Sequence, residues 1–254
     1  MIDAHCHIDL YSDPTQVANR ANHARVLTVM VTNLPSAFDK AFPHVAAFDH
    51  IRPALGLHPL LAEEHLPERE RFLALVDKTS YIGEVGLDFS DAGNRTRDLQ
   101  TESFRFVLNA IGSKPKFVTV HSRRAESAIL EILEETEYRF PIVFHWYSGP
   151  LNVLETAIQK GHFFSVNPTM TLSPNGQKII GRIPPERLLT ETDGPFVKIQ
   201  GRIAEPRDIS IVEKYLSSVW STSEFDVRAT IRENFMRIVR PVKVLKSGTR
   251  QPTT

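Results

Sequence analysis

Ile2-Asp3-Ala4-His5-Cys6-His7-Ile8 opens the chain as a short apolar run interrupted by two histidines two residues apart. As a β-strand, that spacing puts His5 and His7 on the same face. Seven further short, β-branched runs follow, at residues 26–31, 51–57, 81–87, 117–120, 141–144, 162–166 and 187–190. Amphipathic, helix-period stretches separate them, at 14–23, 36–50, 67–76, 97–112, 124–138, 151–160 and 175–182, and two more close the pattern at 206–220 and 223–239. Strands that alternate strictly with helices predict a parallel sheet. Eight of them predict closure into a single (β/α)8 TIM barrel, and 254 residues matches the usual size of that fold. An open Rossmann-like sheet is the competing architecture. It is disfavoured because no Gly-x-Gly-x-x-Gly loop follows any of the strands. One barrel domain is expected over residues 1–240, and 241–254 reads as a basic, aperiodic and poorly packed extension.

Thirty Lys and Arg balance thirty Asp and Glu, so no global positive field attracts nucleic acid and any phosphate recognition must be local. That balance does not exclude a nuclease, because a bound metal supplies its own charge. Cys6 is the single cysteine, which rules out an internal disulfide and points to a reducing compartment. No signal-peptide pattern and no apolar stretch of roughly 20 residues occurs, so a cytoplasmic protein without membrane contact is expected.

The informative polar residues sit where the predicted strands end. His5 and His7 close the first strand, and His58 follows the third in Gly56-Leu57-His58-Pro59. Glu84 lies in the fourth, in Gly83-Glu84-Val85-Gly86-Leu87-Asp88. His121 ends the fifth, His145 ends the sixth, and Asp193 follows the eighth in Glu191-Thr192-Asp193-Gly194-Pro195. In a (β/α)8 barrel those ends open on the face that holds the active site. Two neutral imidazoles can hold one divalent ion, and a carboxylate such as Glu84 can bridge two. His5, His7, Glu84, His121, His145 and Asp193 are therefore the expected metal ligands. Taken singly each has a structural reading: a buried ion pair for Glu84, turn chemistry for Asp193, an incidental position for a lone histidine. Their joint placement on one face is what points to a site. His23, His44, His50, His65 and His162 fall outside it and read as surface or packing residues.

These motifs, Asp3-Ala4-His5-Cys6-His7-Ile8-Asp9, Gly56-Leu57-His58-Pro59, Gly83-Glu84-Val85-Gly86-Leu87-Asp88, His121-Ser122-Arg123 and Leu189-Thr190-Glu191-Thr192-Asp193, resemble in order those of the TatD family of metal-dependent deoxyribonucleases. The resemblance runs from residue 1 to about 239. It implies a barrel with a two-metal centre (Zn, Mn or Mg) held by the six residues above, with Glu84 bridging. It also implies hydrolysis of DNA, often from the 3′ ends of single strands. The run His145-Trp146-Tyr147-Ser148-Gly149 departs from the family's usual Cys-Phe after this histidine and is similar to the QatD subgroup of Qat anti-phage defence systems. That likeness implies partner subunits of a defence complex.

The expected chemistry is attack on a phosphodiester by a two-metal-activated water, with Glu84, Asp193 and Arg123 as the catalytic set. Asp193 would serve as ligand and proton acceptor, and Arg123 would clamp a phosphate in a bidentate fork. His58, Arg123, Trp146 and Tyr147 are the expected substrate-binding residues, the two aromatics by stacking on a base; core packing is an equal reading for Trp146. Lys198 and Arg202 would add local positive charge. Two other functions fit the same barrel. One is an amidohydrolase acting on a cyclic amide or ester, disfavoured because such enzymes often carry a carboxylated lysine where this chain has Glu84. The other is a partner-binding subunit without catalysis, for which intact ligands would be unnecessary.

Overall fold

The computed structural model describes residues 1–241. Eight parallel strands form in the predicted order: β1 (Ile2–Cys6), β2 (Leu27–Met30), β3 (Ile51–Pro53), β4 (Tyr81–Gly86), β5 (Phe117–His121), β6 (Val143–His145), β7 (Phe163–Val166) and β8 (Leu188–Thr190). Ladders join β1-β2-β3 and β4-β5-β6-β7-β8. The two arcs meet at both seams. Leu55 bridges Ile82, with Leu55 N–H donating to Tyr81 O at 3.0 Å and Gly83 N–H to Leu55 O at 2.9 Å. At the other seam Asp193 N–H donates to His5 O at 3.0 Å and His7 N–H to Gly194 O at 2.8 Å. The sheet therefore closes into a (β/α)8 barrel, and every residue of β1 and β7 is buried, as both faces of a barrel strand must be.

The helices on the outside are α1 (Pro14–His23), α2 (Pro35–Val45), α3 (His65–Leu75), α4 (Arg97–Ile111), α5 (Glu126–Glu135), α6 (Leu151–Gln159), α7 (Pro168–Leu172), α8 (Pro174–Ile180), α9 (Ile209–Val219) and α10 (Glu224–Val239). In α4 the buried positions are Gln100, Ser103, Phe104, Val107, Leu108 and Ile111, the three-and-four spacing of one apolar face. Asp13, with Pro14 behind it, caps α1 by accepting from Gln16 N–H, and Ser223 caps α10 by accepting from Asp226 N–H.

The structure revises the sequence reading in places. The helix expected over 175–182 is α8, and a short helix that had no element assigned, α7, precedes it; Ser173 ends α7 in extended backbone and caps α8, whose first residue is Pro174. The helix expected over 36–50 stops at Val45. A hairpin that had no element assigned, β9 (Lys198–Ile199) with β10 (Arg202–Ile203), turns at Gln200 and Gly201, both at positive φ. The expected extension at 241–254 lies, from residue 242 on, outside the described residues. Among the described residues no helix is long and apolar enough to cross a membrane.

Two features of the sheet aim the site. Register shifts occur between Asp3 and Cys6 in β1 and between Ile82 and Val85 in β4, the intervals that hold His5 and Glu84. The backbone also closes in tightly beside the third strand. A Cβ on Gly56 would stand 1.6 Å from Thr32 O, a separation no side chain allows. Gly56→Ala is expected to cost about 1–3 kcal/mol or more, lowering Tm by roughly 2–12 °C in a chain of this size, measured by thermal unfolding of the metal-depleted protein.

Candidate metal centre

Six side chains from five strand ends converge on the Glu84 carboxylate, which is almost fully buried. Oε2 faces the first strand: His7 Nε2 lies 3.0 Å away and His5 Nε2 3.4 Å. Oε1 faces the opposite side: His121 Nδ1 at 2.7 Å, His145 Nε2 at 2.9 Å and His58 Nε2 at 3.4 Å. Asp193 adds Oδ1 at 3.8 Å from both His5 and His7 Nε2. The imidazoles of His5 and His145 stack at 3.9 Å with a 10° tilt and join the two sides.

These spacings fit a metal. Nitrogen and oxygen donors about 2.0–2.1 Å from one tetrahedral ion stand roughly 3.3 Å apart, and His5, His7 and Glu84 Oε2 are mutually 3.0–3.4 Å apart. Asp193 Oδ1 is buried and accepts no hydrogen bond, which a divalent cation would remedy. Burial, with the Glu191, Glu84 and Asp3 carboxylates near it, pushes the Asp193 carboxyl well above its ordinary range despite the opposing effect of His145. For Glu84 burial acts upward too, but His58 and His145 beside it and donors from His121 and His145 hold its carboxyl well below the usual range. Burial and the neighbouring His145 keep His5 neutral, the form a ligand needs.

Behind the ligands stands a layer of buried acceptors that orient them. His5 Nδ1 is 2.8 Å from Thr119 Oγ1, which frees Nε2 to face Glu84. His121 Nε2 is 2.8 Å from Asp88 Oδ2, which frees Nδ1. Asp88 is buried against a cost that would raise its carboxyl, yet His121 and Ser90 draw it down to about 2. Asp3 accepts from the Thr192 N–H and hydroxyl across the β8–β1 seam. Burial pushes its carboxyl up to about 8. Glu191, wholly buried, accepts from Ser165 Oγ, Asn167 Nδ2 and the Trp146 N–H, and so fixes Trp146 in left-handed backbone at φ 38°. Its Oε2 is 3.8 Å from His145 Nδ1, an electrostatic neighbour beyond hydrogen-bond reach.

The centre forms the floor of a cavity of about 480 Å³ at the C-terminal ends of the strands, walled by His58, Leu60, Arg123, Trp146 and Phe196 among others. His58 Nδ1 accepts the Leu60 N–H at 3.2 Å, so neutral His58 carries its proton on Nε2 and turns a donor into the cavity. Arg123 is exposed there, and its guanidinium has no partner among the described residues. Tyr147 does not reach the cavity, contrary to its expected stacking role. Its ring is buried against Phe144 and Phe164 and its hydroxyl donates to Pro150 O at 2.7 Å. Left-handed backbone at Trp146 sends the two neighbours to opposite sides. Arg202 adds no free charge, since its guanidinium forks onto Asp208 at 2.6 and 2.7 Å. Of the histidines set aside, His65 is buried and 3.0 Å from His58 O, and His162 accepts the Ile142 N–H at the far end of the barrel.

A sequence model of the family of TatD-related DNases matches residues 2–240. The chain belongs to the TatD family. Among its relatives are the human "Deoxyribonuclease TATDN3", 27% identical over 94% of both chains, and the "Uncharacterized metal-dependent hydrolase MJ1582" of Methanocaldococcus jannaschii, 26% identical over 92% and 94%. The solved structure of YjjV, a TatD homologue from Escherichia coli, superposes with a TM-score of 0.83 over 94% of this chain and 97% of that one, at 24% identity. This TatD chain is accordingly a metal-dependent hydrolase with a His/Glu cluster able to hold metal. Asp88→Asn leaves His121 its neighbour and removes the carboxylate that orients it. Metal affinity is expected to fall about 10- to 100-fold, read by titrating Mn²⁺ or Zn²⁺ into the metal-depleted protein.

Proposed function

We propose that this chain cleaves DNA phosphodiester bonds with two divalent cations, one of which His5, His7, Asp193 and Glu84 would hold and the other His121, His145 and Glu84. The observation that carries the reading is the two-sided Glu84, each oxygen of which faces its own set of imidazoles. Bound there, the ions would lower the pKa of a water and polarise a phosphoryl oxygen. Mixed imidazole and carboxylate donors suit Zn²⁺ and Mn²⁺ better than Mg²⁺.

The remaining work falls to the chain. Arg123, unpartnered at the cavity wall, clamps a phosphate through its fork. The Nε2–H of His58 donates to another phosphoryl oxygen from the β3 side. Asp193, with its Oδ1 free of hydrogen bonds, takes the proton released by the attacking water. Trp146 offers a ring to a base beside the scissile bond. The setting we propose is a Qat-type anti-phage complex, on the likeness of residues 145–149, and co-purification with neighbouring gene products tests it.

Glu84→Ala is expected to abolish cleavage of end-labelled single- and double-stranded oligonucleotides and to lower bound metal, while chelation of the wild type abolishes cleavage reversibly. Arg123→Lys is expected to raise KM roughly 10- to 150-fold, the worth of a charged hydrogen bond of about 1.5–3 kcal/mol. Retained cleavage by Glu84→Ala, or turnover of lactones or cyclic amides in place of oligonucleotides, would refute the proposal.

A further inference from the structure

The cavity has a polar floor and an apolar rim. The floor is imidazole and carboxylate, and the rim is Leu60, Trp146 and Phe196, from three different loops. Phe196 is the most exposed of the three, a large aromatic side chain at 58%, and Leu60 beside the same cavity is 43% exposed. Leaving such groups in water gains nothing for folding, and apolar surface gathered around a cavity marks a contact site.

Phe196 is also rigidly placed. Its N–H donates to Asp193 O at 3.0 Å, so it sits one tight turn from a member of the centre. Its ring meets the His7 imidazole at 87° with centroids 5.1 Å apart, which holds it over the first side of the cluster. Trp146 is held by Glu191 through its backbone N–H. The Phe196 ring is thus seated on His7 and the Trp146 side chain is partly buried against the core, so less conformational freedom is left to lose on binding.

We infer that Phe196 is a specificity-determining residue that stacks on a nucleobase of the nucleotide whose phosphate lies on the metal centre, opposite the wall formed by Trp146. The inference rests on the nucleic-acid reading above. Two flat rings, an unpartnered guanidinium and a cation-binding floor in one cavity match base, phosphate and phosphoryl oxygen in turn. An acyl chain or a cyclic amide would leave Arg123 without a partner. The size fits one nucleotide: a cavity of about 480 Å³ is roughly 8 Å on edge as a cube, room for one extruded base and not for a base pair in its stack. The base must therefore leave its stack to enter, and the aromatic faces replace the stacking it gives up.

The test compares wild type, Phe196→Ala and Phe196→Trp on two single strands that differ only at the terminal nucleotide, one with a normal base and one abasic. KM is read for cleavage, and Kd is read by anisotropy on labelled phosphorothioate versions, with bound metal measured for each variant. Wild type is expected to favour the base-bearing strand. Phe196→Ala is expected to lose about 5- to 150-fold of that preference, the equivalent of about 1–3 kcal/mol of stacking, and Phe196→Trp to restore it with metal content unchanged. Equal losses on both strands, or an unchanged preference in Phe196→Ala, would overturn the inference. If wild type cleaves neither strand but the Kd preference behaves as stated, the base site stands and the nuclease reading falls.

Discussion

The buried Glu84 carboxylate is the interaction on which the rest of the site depends. Alone in a barrel interior it would cost far more than a neighbouring hydrogen bond returns. It is tolerated because five imidazoles face its two oxygens, His5 and His7 on one side and His58, His121 and His145 on the other. The carboxylates of Asp3, Asp88, Glu191 and Asp193 crowd the same region, and all are buried. Protein hydrogen bonds satisfy Asp3, Asp88 and Glu191, but not Asp193. The acceptor left without a partner lies where a cation fits, between Asp193 and the two histidines of β1.

The same bonds that build the centre close the barrel. The β8–β1 seam has no regular ladder; it is sewn by Asp193 N–H to His5 O, His7 N–H to Gly194 O, and Thr192 to Asp3. Two of the residues in that seam, His5 and His7, carry imidazoles of the cluster, and Asp193 carries its unpartnered oxygen. A change that loosens the seam therefore moves ligands, and a change at the ligands loosens the seam. Stability and metal binding in this fold are coupled through shared residues, because the strand ends serve both.

Much of this was legible in the sequence, for a physical reason. Barrel strands are buried on both faces and read as β-branched runs, so all eight appeared; His5, His7, Glu84, His121, His145 and Asp193 interrupt or follow those runs, and a parallel barrel brings such ends together. What stayed hidden has no period to betray it. The register shifts around His5 and Glu84 leave no mark in hydrophobicity. Thr119 looks like any β-branched strand residue, and only the fold shows it beside His5. Asp88 and Glu191 stand in the motifs, yet nothing local tells a carboxylate that orients a ligand from one that binds metal. Trp146 and Tyr147 were indistinguishable as neighbours in a loop; the left-handed backbone at Trp146 separates them, placing one ring in the cavity and the other in the core.

On the proposed nuclease reading, a chain with no net charge must address a polyanion locally. Two cations near the active face are already spent: Arg202 is locked to Asp208 and Arg124 is paired with Asp91. Arg123 is left free at the cavity wall, above a floor that contains Glu84, Asp88 and Asp193. Cations held on the Glu84 cluster would make the floor more positive, so on the proposed reading loading the centre and admitting a phosphodiester would be one electrostatic event. Affinity would then come from a few charges at short range, where low dielectric makes them strong and salt screens them poorly. On that reading a positive outer surface is not needed; the strand ends marked a metal site, and only the likeness of their motifs to the TatD family implied a nucleic-acid substrate.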